Sequence, residues 1–99
     1  MDIKKVGVIG LGTMGSNIAI VCIRGGLETV VLETNDSALQ NGRGRINAFL
    51  DAGVEKGKTP AQDREAMLGR LSGTTEITDL ADCDLVIEAI NENLEEKIS

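Results

Sequence analysis

The 99-residue sequence contains no histidine, tyrosine or tryptophan and a single phenylalanine. These absences exclude Ser-His-Asp and Cys-His nucleophilic systems, His-ligated zinc and tyrosine acid chemistry from anything the chain does alone. One Phe makes no stacking platform, and 16 acidic residues against 10 basic ones, a net charge of -6, are the wrong balance for nucleic acid. The two cysteines, Cys22 and Cys83, fit no CxxC pattern, so neither a metal site nor a thiol-redox motif is supported. Both are expected to be reduced and structural. No apolar run approaches the roughly 18 residues of a membrane span, and Met1-Asp2 lead almost directly into a strand pattern without signal-type regions. No membrane partner is expected, and a cytoplasmic location is the default.

What remains, 41% hydrophobic and 26% charged, is the composition of one globular domain with a single core. Lys5-Val6-Gly7-Val8-Ile9 is a short continuous apolar run ended by glycines, as expected of a strand buried on both faces of a parallel sheet. From Thr13 or Met14 the period becomes helical, with Met14, Ile18, Val21 and Cys22 on one face and Gly25-Gly26 as the stop. Thr29 to Leu32 is a second strand closed by Glu33. Asn35 or Asp36 then caps a longer helix whose stripe is Leu39, Ile46, Phe49, Leu50 and Val54, with Gly57 as its terminator. Gly42 and Gly44 inside that helix each cost about 1 kcal/mol relative to Ala, so tertiary packing must hold it.

Thr59-Pro60-Ala61-Gln62 has the form of a capping box with Pro at the first helical position, opening a third helix that runs to about Gly69. Thr74-Thr75 suggests a short third strand. Leu85-Val86-Ile87 reads as a fourth, again buried on both faces, and Asn91 or Asn93 opens a last helix. Strands alternating with helices imply an α/β fold, a doubly wound parallel sheet of Rossmann type with about four strands in these residues.

Gly10-Leu11-Gly12-Thr13-Met14-Gly15 is a GxGxxG directly after the first strand and at the opening of a helix. In that context the first glycine permits the tight turn, the second lets backbone approach a pyrophosphate, and the third lets helix pack close on strand. Ala19 keeps the same helix face small, and the helix N-terminus offers free amides and partial positive charge to phosphates. Glu33, at the end of the second strand, is placed to accept hydrogen bonds from an adenosine ribose and to repel a 2′-phosphate, which favours NAD over NADP. FAD-binding domains share the turn and the acid. The continuation to a fourth strand and Glu88-Ala89-Ile90-Asn91 separates this chain from them.

Val8 to Gly15, Ile18-Ala19, Val31-Leu32-Glu33, Asp84 to Ile90 and Glu92-Asn93-Leu94 together resemble the NAD-binding domain of L-3-hydroxyacyl-CoA dehydrogenases, with the bacterial 3-hydroxybutyryl-CoA type most similar. The resemblance covers essentially the whole chain, including Gly69-Arg70-Leu71-Ser72, and implies one domain over residues 1–99. It implies oxidation of an acyl-CoA 3-hydroxyl, with hydride passing to NAD. Gly10, Leu11, Gly12, Thr13, Met14 and Gly15 correspond to the pyrophosphate turn and Glu33 to the ribose acid. Ala89, at the carboxyl end of the fourth strand, is a cofactor-binding residue flanking the switch point where the dinucleotide's central part would lie, and Glu92 and Lys97 correspond to an acid and a base that line the nicotinamide end. Lys97 also matches a position near the CoA thioester arm, and Lys56 one that meets CoA phosphates. Phe49 stands where some members carry a CoA-contacting Ser. The family's catalytic His-Glu pair, its substrate-orienting Ser and Asn, and its helical dimer-forming domain correspond to nothing within these residues, so NAD binding without turnover is expected of this chain.

Taken apart from the resemblance, Glu92 is a favourable partner for a helix dipole, and Lys56 and Lys97 are solvated cations. Two other functions compete. The turn also resembles that of 3-hydroxyisobutyrate-type β-hydroxyacid dehydrogenases. Alternatively, the chain is a non-catalytic nucleotide-binding module that self-associates through an exposed sheet edge.

Overall fold

The computed structural model describes residues 3–89. The chain runs β1 (Lys5–Ile9), α1 (Thr13–Arg24), β2 (Glu28–Leu32), α2 (Asp36–Glu55), α3 (Ala61–Gly69), β3 (Leu71–Thr74), a 3-10 turn (Ile77–Leu80) and β4 (Leu85–Glu88). The four strands form one parallel sheet in the order β3-β2-β1-β4. The chain thus builds outward on one side of β1 and then returns to its other side. That reversal between β1 and β4 is where open α/β sheets place their ligands, at the carboxyl ends of the strands. The predicted Rossmann-type α/β class is what the structure has.

Val8 is the centre of the register, opposite Val31 on β2 and Ile87 on β4. Side chains alternate along a strand, and Val6, Val8 and Val31 join Leu11, Ala19, Ile23, Leu39, Ile46 and Leu50 in the core beneath the helices. Gly7 points to the opposite face, where a β-carbon would lie 2.9 Å from Leu80 Cδ2 and 3.2 Å from Cys83 Sγ. Both thiols are free, and burial pushes each above its ordinary value. No helix among the described residues is long and apolar enough to cross a membrane.

The structure corrects several expectations. On α1 only Cys22 of the predicted stripe is buried, while Met14 and Val21 are 60% and 66% exposed. The buried face is Gly15, Ser16, Ala19, Ile20, Cys22 and Ile23, because the small residues let the helix settle onto the sheet. On α2, Leu39, Ile46 and Leu50 are buried but Phe49 is turned outward, under the Arg24 guanidinium, 5.7 Å from the ring centre. The capping box does not form. Pro60 is the N-cap residue of α3 and makes no side-chain cap bond; the Thr59 amide instead donates to the Gly53 carbonyl at 3.2 Å, drawing Thr59 back onto α2. β3 starts earlier than Thr74, at Leu71, whose buried side chain anchors it. β4 forms where expected but is not buried on both faces, since Leu85 and Val86 are 42% and 44% exposed on a strand with only β1 beside it among the described residues. The helix predicted from Asn91 or Asn93 lies outside the described residues.

Candidate functional site

The site grows from the turn between β1 and α1. Gly10 has φ of +96°, a left-handed conformation that only glycine adopts without strain, and its amide donates to the Leu32 carbonyl at 2.9 Å. The chain thereby folds sharply over the end of β2. Gly12 is the N-cap of α1 and brings no side chain to that role. The first helical amide to find an acceptor is Ser16, which donates to Gly12 at 2.9 Å. The amides of Gly12, Thr13, Met14 and Gly15 make no hydrogen bond among the described residues. Four free donors at the positive end of a helix form an anion-binding cradle.

Gly15 keeps that cradle tight: a β-carbon there would lie 1.8 Å from the Gly10 carbonyl oxygen. Ala89 backs the same spot, with its methyl 3.5 Å from where that carbon would sit. It is buried, and its amide donates to Ile9 at 2.8 Å, extending the β1–β4 ladder by one residue.

Leu11 is the most constrained member of the turn. Its side chain is 1% exposed and packs under Gly42 of α2, where a β-carbon would come within 2.5 Å of Leu11 Cβ. The Leu11 amide donates to Glu33 Oε2 at 2.7 Å, and the Leu11 carbonyl accepts from Arg45 Nη1 at 2.8 Å and from Ser16 Oγ at 3.3 Å. Sequence reasoning misses Arg45 because its partner lies 34 residues away in the chain. Within the polar run Asn41-Gly42-Arg43-Gly44-Arg45, nothing in the local spacing singles out one arginine from the other.

Glu33 occupies the end of β2 as expected. Its second oxygen, Oε1, accepts from the Thr34 amide at 3.1 Å, so each carboxylate oxygen holds one backbone donor and keeps a free lone pair for a ligand hydroxyl. Beside it opens a cleft of about 400 Å³ lined by Ile9, Gly10, Leu32, Glu33, Thr34, Thr75, Glu76 and Ile77, within the range of small-molecule pockets. Glu76 is a second acid that the sequence did not reveal. Among the described residues no cation lines this cleft, so its electrostatics oppose a phosphate near Glu33 while its apolar walls suit a flat ring. Free amides, an acid with unused acceptor capacity and an apolar slot in sequence along the strand ends fit an adenine dinucleotide.

The structure does not bring Lys56 to this site. The turn packs on α2 at Gly42, and Lys56, 14 residues further on and just past the end of that helix, lies about 21 Å away along it at 1.5 Å per residue. There Lys56 lines a separate groove with Arg24, Phe49, Lys58 and Thr59. Glu92 and Lys97 lie outside the described residues. Among the described residues no three metal-ligating side chains cluster.

A family model described as "3-hydroxyacyl-CoA dehydrogenase, NAD binding domain" matches residues 5–99. A 3-hydroxybutyryl-CoA dehydrogenase of Mycobacterium tuberculosis is 44% identical over 91 residues, which cover 92% of this chain and 32% of that protein. The crystal structure of M. tuberculosis FadB2 superposes with a TM-score of 0.91 at 42% identity, over 98% of this chain and 34% of that one. The crystal structure of (S)-3-hydroxybutyryl-CoA dehydrogenase from Ralstonia eutropha does so with a TM-score of 0.89 at 38% identity, over 98% and 34%. The chain spans about a third of the length of the curated bacterial relatives it matches first. These likenesses favour the hydroxyacyl-CoA reading over the β-hydroxyacid alternative. With its reversal of strand order, its glycine turn and its acid at the end of β2, the chain belongs to the 3-hydroxyacyl-CoA dehydrogenase family, as the NAD-binding domain.

Proposed function

We propose that this chain is the cofactor-holding part of an enzyme that oxidises short-chain L-3-hydroxyacyl-CoA to 3-ketoacyl-CoA in fatty-acid metabolism, with NAD as the hydride acceptor. The observation that carries this is the turn with four free amides fastened through Leu11 to Glu33. Residues 1–99 act as one domain. Gly10, Leu11, Gly12, Thr13, Met14 and Gly15 wrap the pyrophosphate with backbone alone, since side chains there would fill the space the phosphates need. Glu33 accepts from the ribose hydroxyls, and Ile9, Leu32 and Ile77 flank the adenine. Ala89 shapes the floor beside the turn, Glu92 and Lys97 line the nicotinamide end, and Lys56 and Lys97 meet the CoA. The nicotinamide supplies the hydride-accepting carbon. This chain's 99 residues hold the cofactor but contain no histidine, so the general base that the family resemblance implies is not among them. Its two free thiols accord with a reducing, cytoplasmic setting.

Titration with NAD and with NADP tests this reading. Saturable NAD binding that is lost in Glu33→Ala, with NADP the weaker ligand, is the expected result. No NAD binding at millimolar concentration, or a preference for NADP, would overturn it.

A second reading concerns association. Exposed Met14 and Val21 of α1 line an apolar groove with Ile87 of β4, Leu85 and Val86 of β4 are half-exposed, and the outer edge of β4 is open among the described residues; an open edge invites pairing. We propose that this chain on its own self-associates there. Sedimentation at increasing concentration should show dimers that Val86→Lys abolishes; a strict monomer would leave the idea without support.

A further inference from the structure

We infer that Arg45, a residue of α2 outside the glycine motif, is a positioning residue for the pyrophosphate: its hold on the Leu11 carbonyl aims the Gly12 amide at the ligand. The inference rests on the reading of the turn as the NAD site. Arg45 is exposed overall, yet Nη1 reaches under the turn and donates to Leu11 O at 2.8 Å, a charge-assisted bond that Ser16 Oγ supplements at 3.3 Å. No peptide among the described residues is cis. In a trans peptide the carbonyl and the following N–H point in opposite directions. Fixing the Leu11 oxygen toward α2 and the interior of α1 therefore turns the Gly12 N–H away from both, to the open side where Thr13 and Met14 offer their own free amides.

Two further features support a built arrangement. Glu33 holds the other end of the same residue through the Leu11 amide, so the peptide groups on both sides of Leu11 are pinned by opposite charges. Gly42 lets α2 approach near enough for Arg45 to reach, since any β-carbon there would collide with Leu11. The guanidinium also places a positive charge behind the phosphate cradle in a chain whose net charge is -6.

A positioning role predicts a defect confined to ligands that carry a pyrophosphate. Affinities for ADP and for adenosine are measured by NMR titration on the unaltered chain and on Arg45→Met and Arg45→Lys, with far-UV circular dichroism to check folding. The expected result is ADP binding weakened about tenfold in Arg45→Met, the scale of one lost hydrogen bond to a charged group, and largely restored in Arg45→Lys. Adenosine affinity stays within about twofold throughout. Equal ADP binding by Arg45→Met, or a parallel loss of ADP and adenosine, would overturn the inference in favour of a general structural role. If Arg45→Met does not fold, Arg45→Gln decides in its place: a loss of ADP affinity beyond about threefold at constant adenosine affinity supports the inference, and an unchanged ratio overturns it. Failure of the unaltered chain to bind either ligand would instead remove the NAD reading, and this inference with it.

Discussion

β1 and β4 lie side by side, parallel and in register, and are built from similar apolar residues. Val6 and Val8 on β1 are 1% and 0% exposed, whereas Leu85 and Val86 on β4 are 42% and 44% exposed. The difference lies in what surrounds each strand. β1 has a strand on either side and the helices above it; β4 has β1 alone among the described residues. An apolar run therefore states what cover a strand is suited to, while its actual burial depends on which neighbours are present.

The contrast is sharpest in stability. Val8→Ala should destabilise the chain by about 2 kcal/mol through lost burial and the cavity left behind. Val86→Ala should change it by less than about 0.5 kcal/mol, as substitutions of half-exposed side chains do. Urea unfolding of the two variants measures both, and equal losses would mean that β4 is as well covered as β1. The same logic operates within α2, where two glycines share one helix. Gly42→Ala forces a methyl against Leu11 and should cost about 1–3 kcal/mol and weaken NAD binding with it. Gly44 meets nothing within 4 Å, and Gly44→Ala should raise stability by up to about 1 kcal/mol. Thermal melts of the pair should move in opposite directions.

The smallest effect concerns how β4 is fastened at its start. Asp84 Oδ2 accepts from the Lys4 and Lys5 amides at 2.8 and 3.0 Å, and those bonds hold its carboxyl below the ordinary range. A folded-state value below the unfolded one contributes stability that is fully present above about pH 4 and is lost as pH falls through the lower, folded value. Asp84→Asn should therefore flatten the acid limb of a melting-temperature profile below about pH 4. An unchanged slope would show that the clasp does nothing for the folded state.

Local signals are legible in the sequence, and long-range ones are not. β1, the glycine turn and the start of α1 follow from a few consecutive residues: the apolar run, Gly10 at positive φ and a helix needing no side-chain cap. The N-cap of α2 is equally local, with Asn35 Oδ1 accepting from the Ala38 amide at 2.8 Å. The buried face of α1 is misread from the pattern because large side chains at helical spacing weigh more in it than Gly15 and Ala19, although it is the small residues that permit contact. Thr59 has the right neighbours for a cap and is claimed by Gly53, several residues upstream. At the site, the glycines and Glu33 are visible from motif spacing. Arg45, Glu76 and Ile77 are not, because only the folded chain brings α2 and the segment after β3 to the strand ends.

The bond from the Leu11 amide to Glu33 has a consequence for any attempt to exchange NAD for NADP by protein engineering. In the proposed function, the carboxylate that discriminates against the extra phosphate is also a brace for the turn that receives the shared ones. Replacing it with a neutral or basic residue would relieve the repulsion and at the same moment release Leu11. On that proposal cofactor choice is coupled to cofactor grip, and a redesigned version would have to supply a new acceptor for the Leu11 amide along with its new specificity.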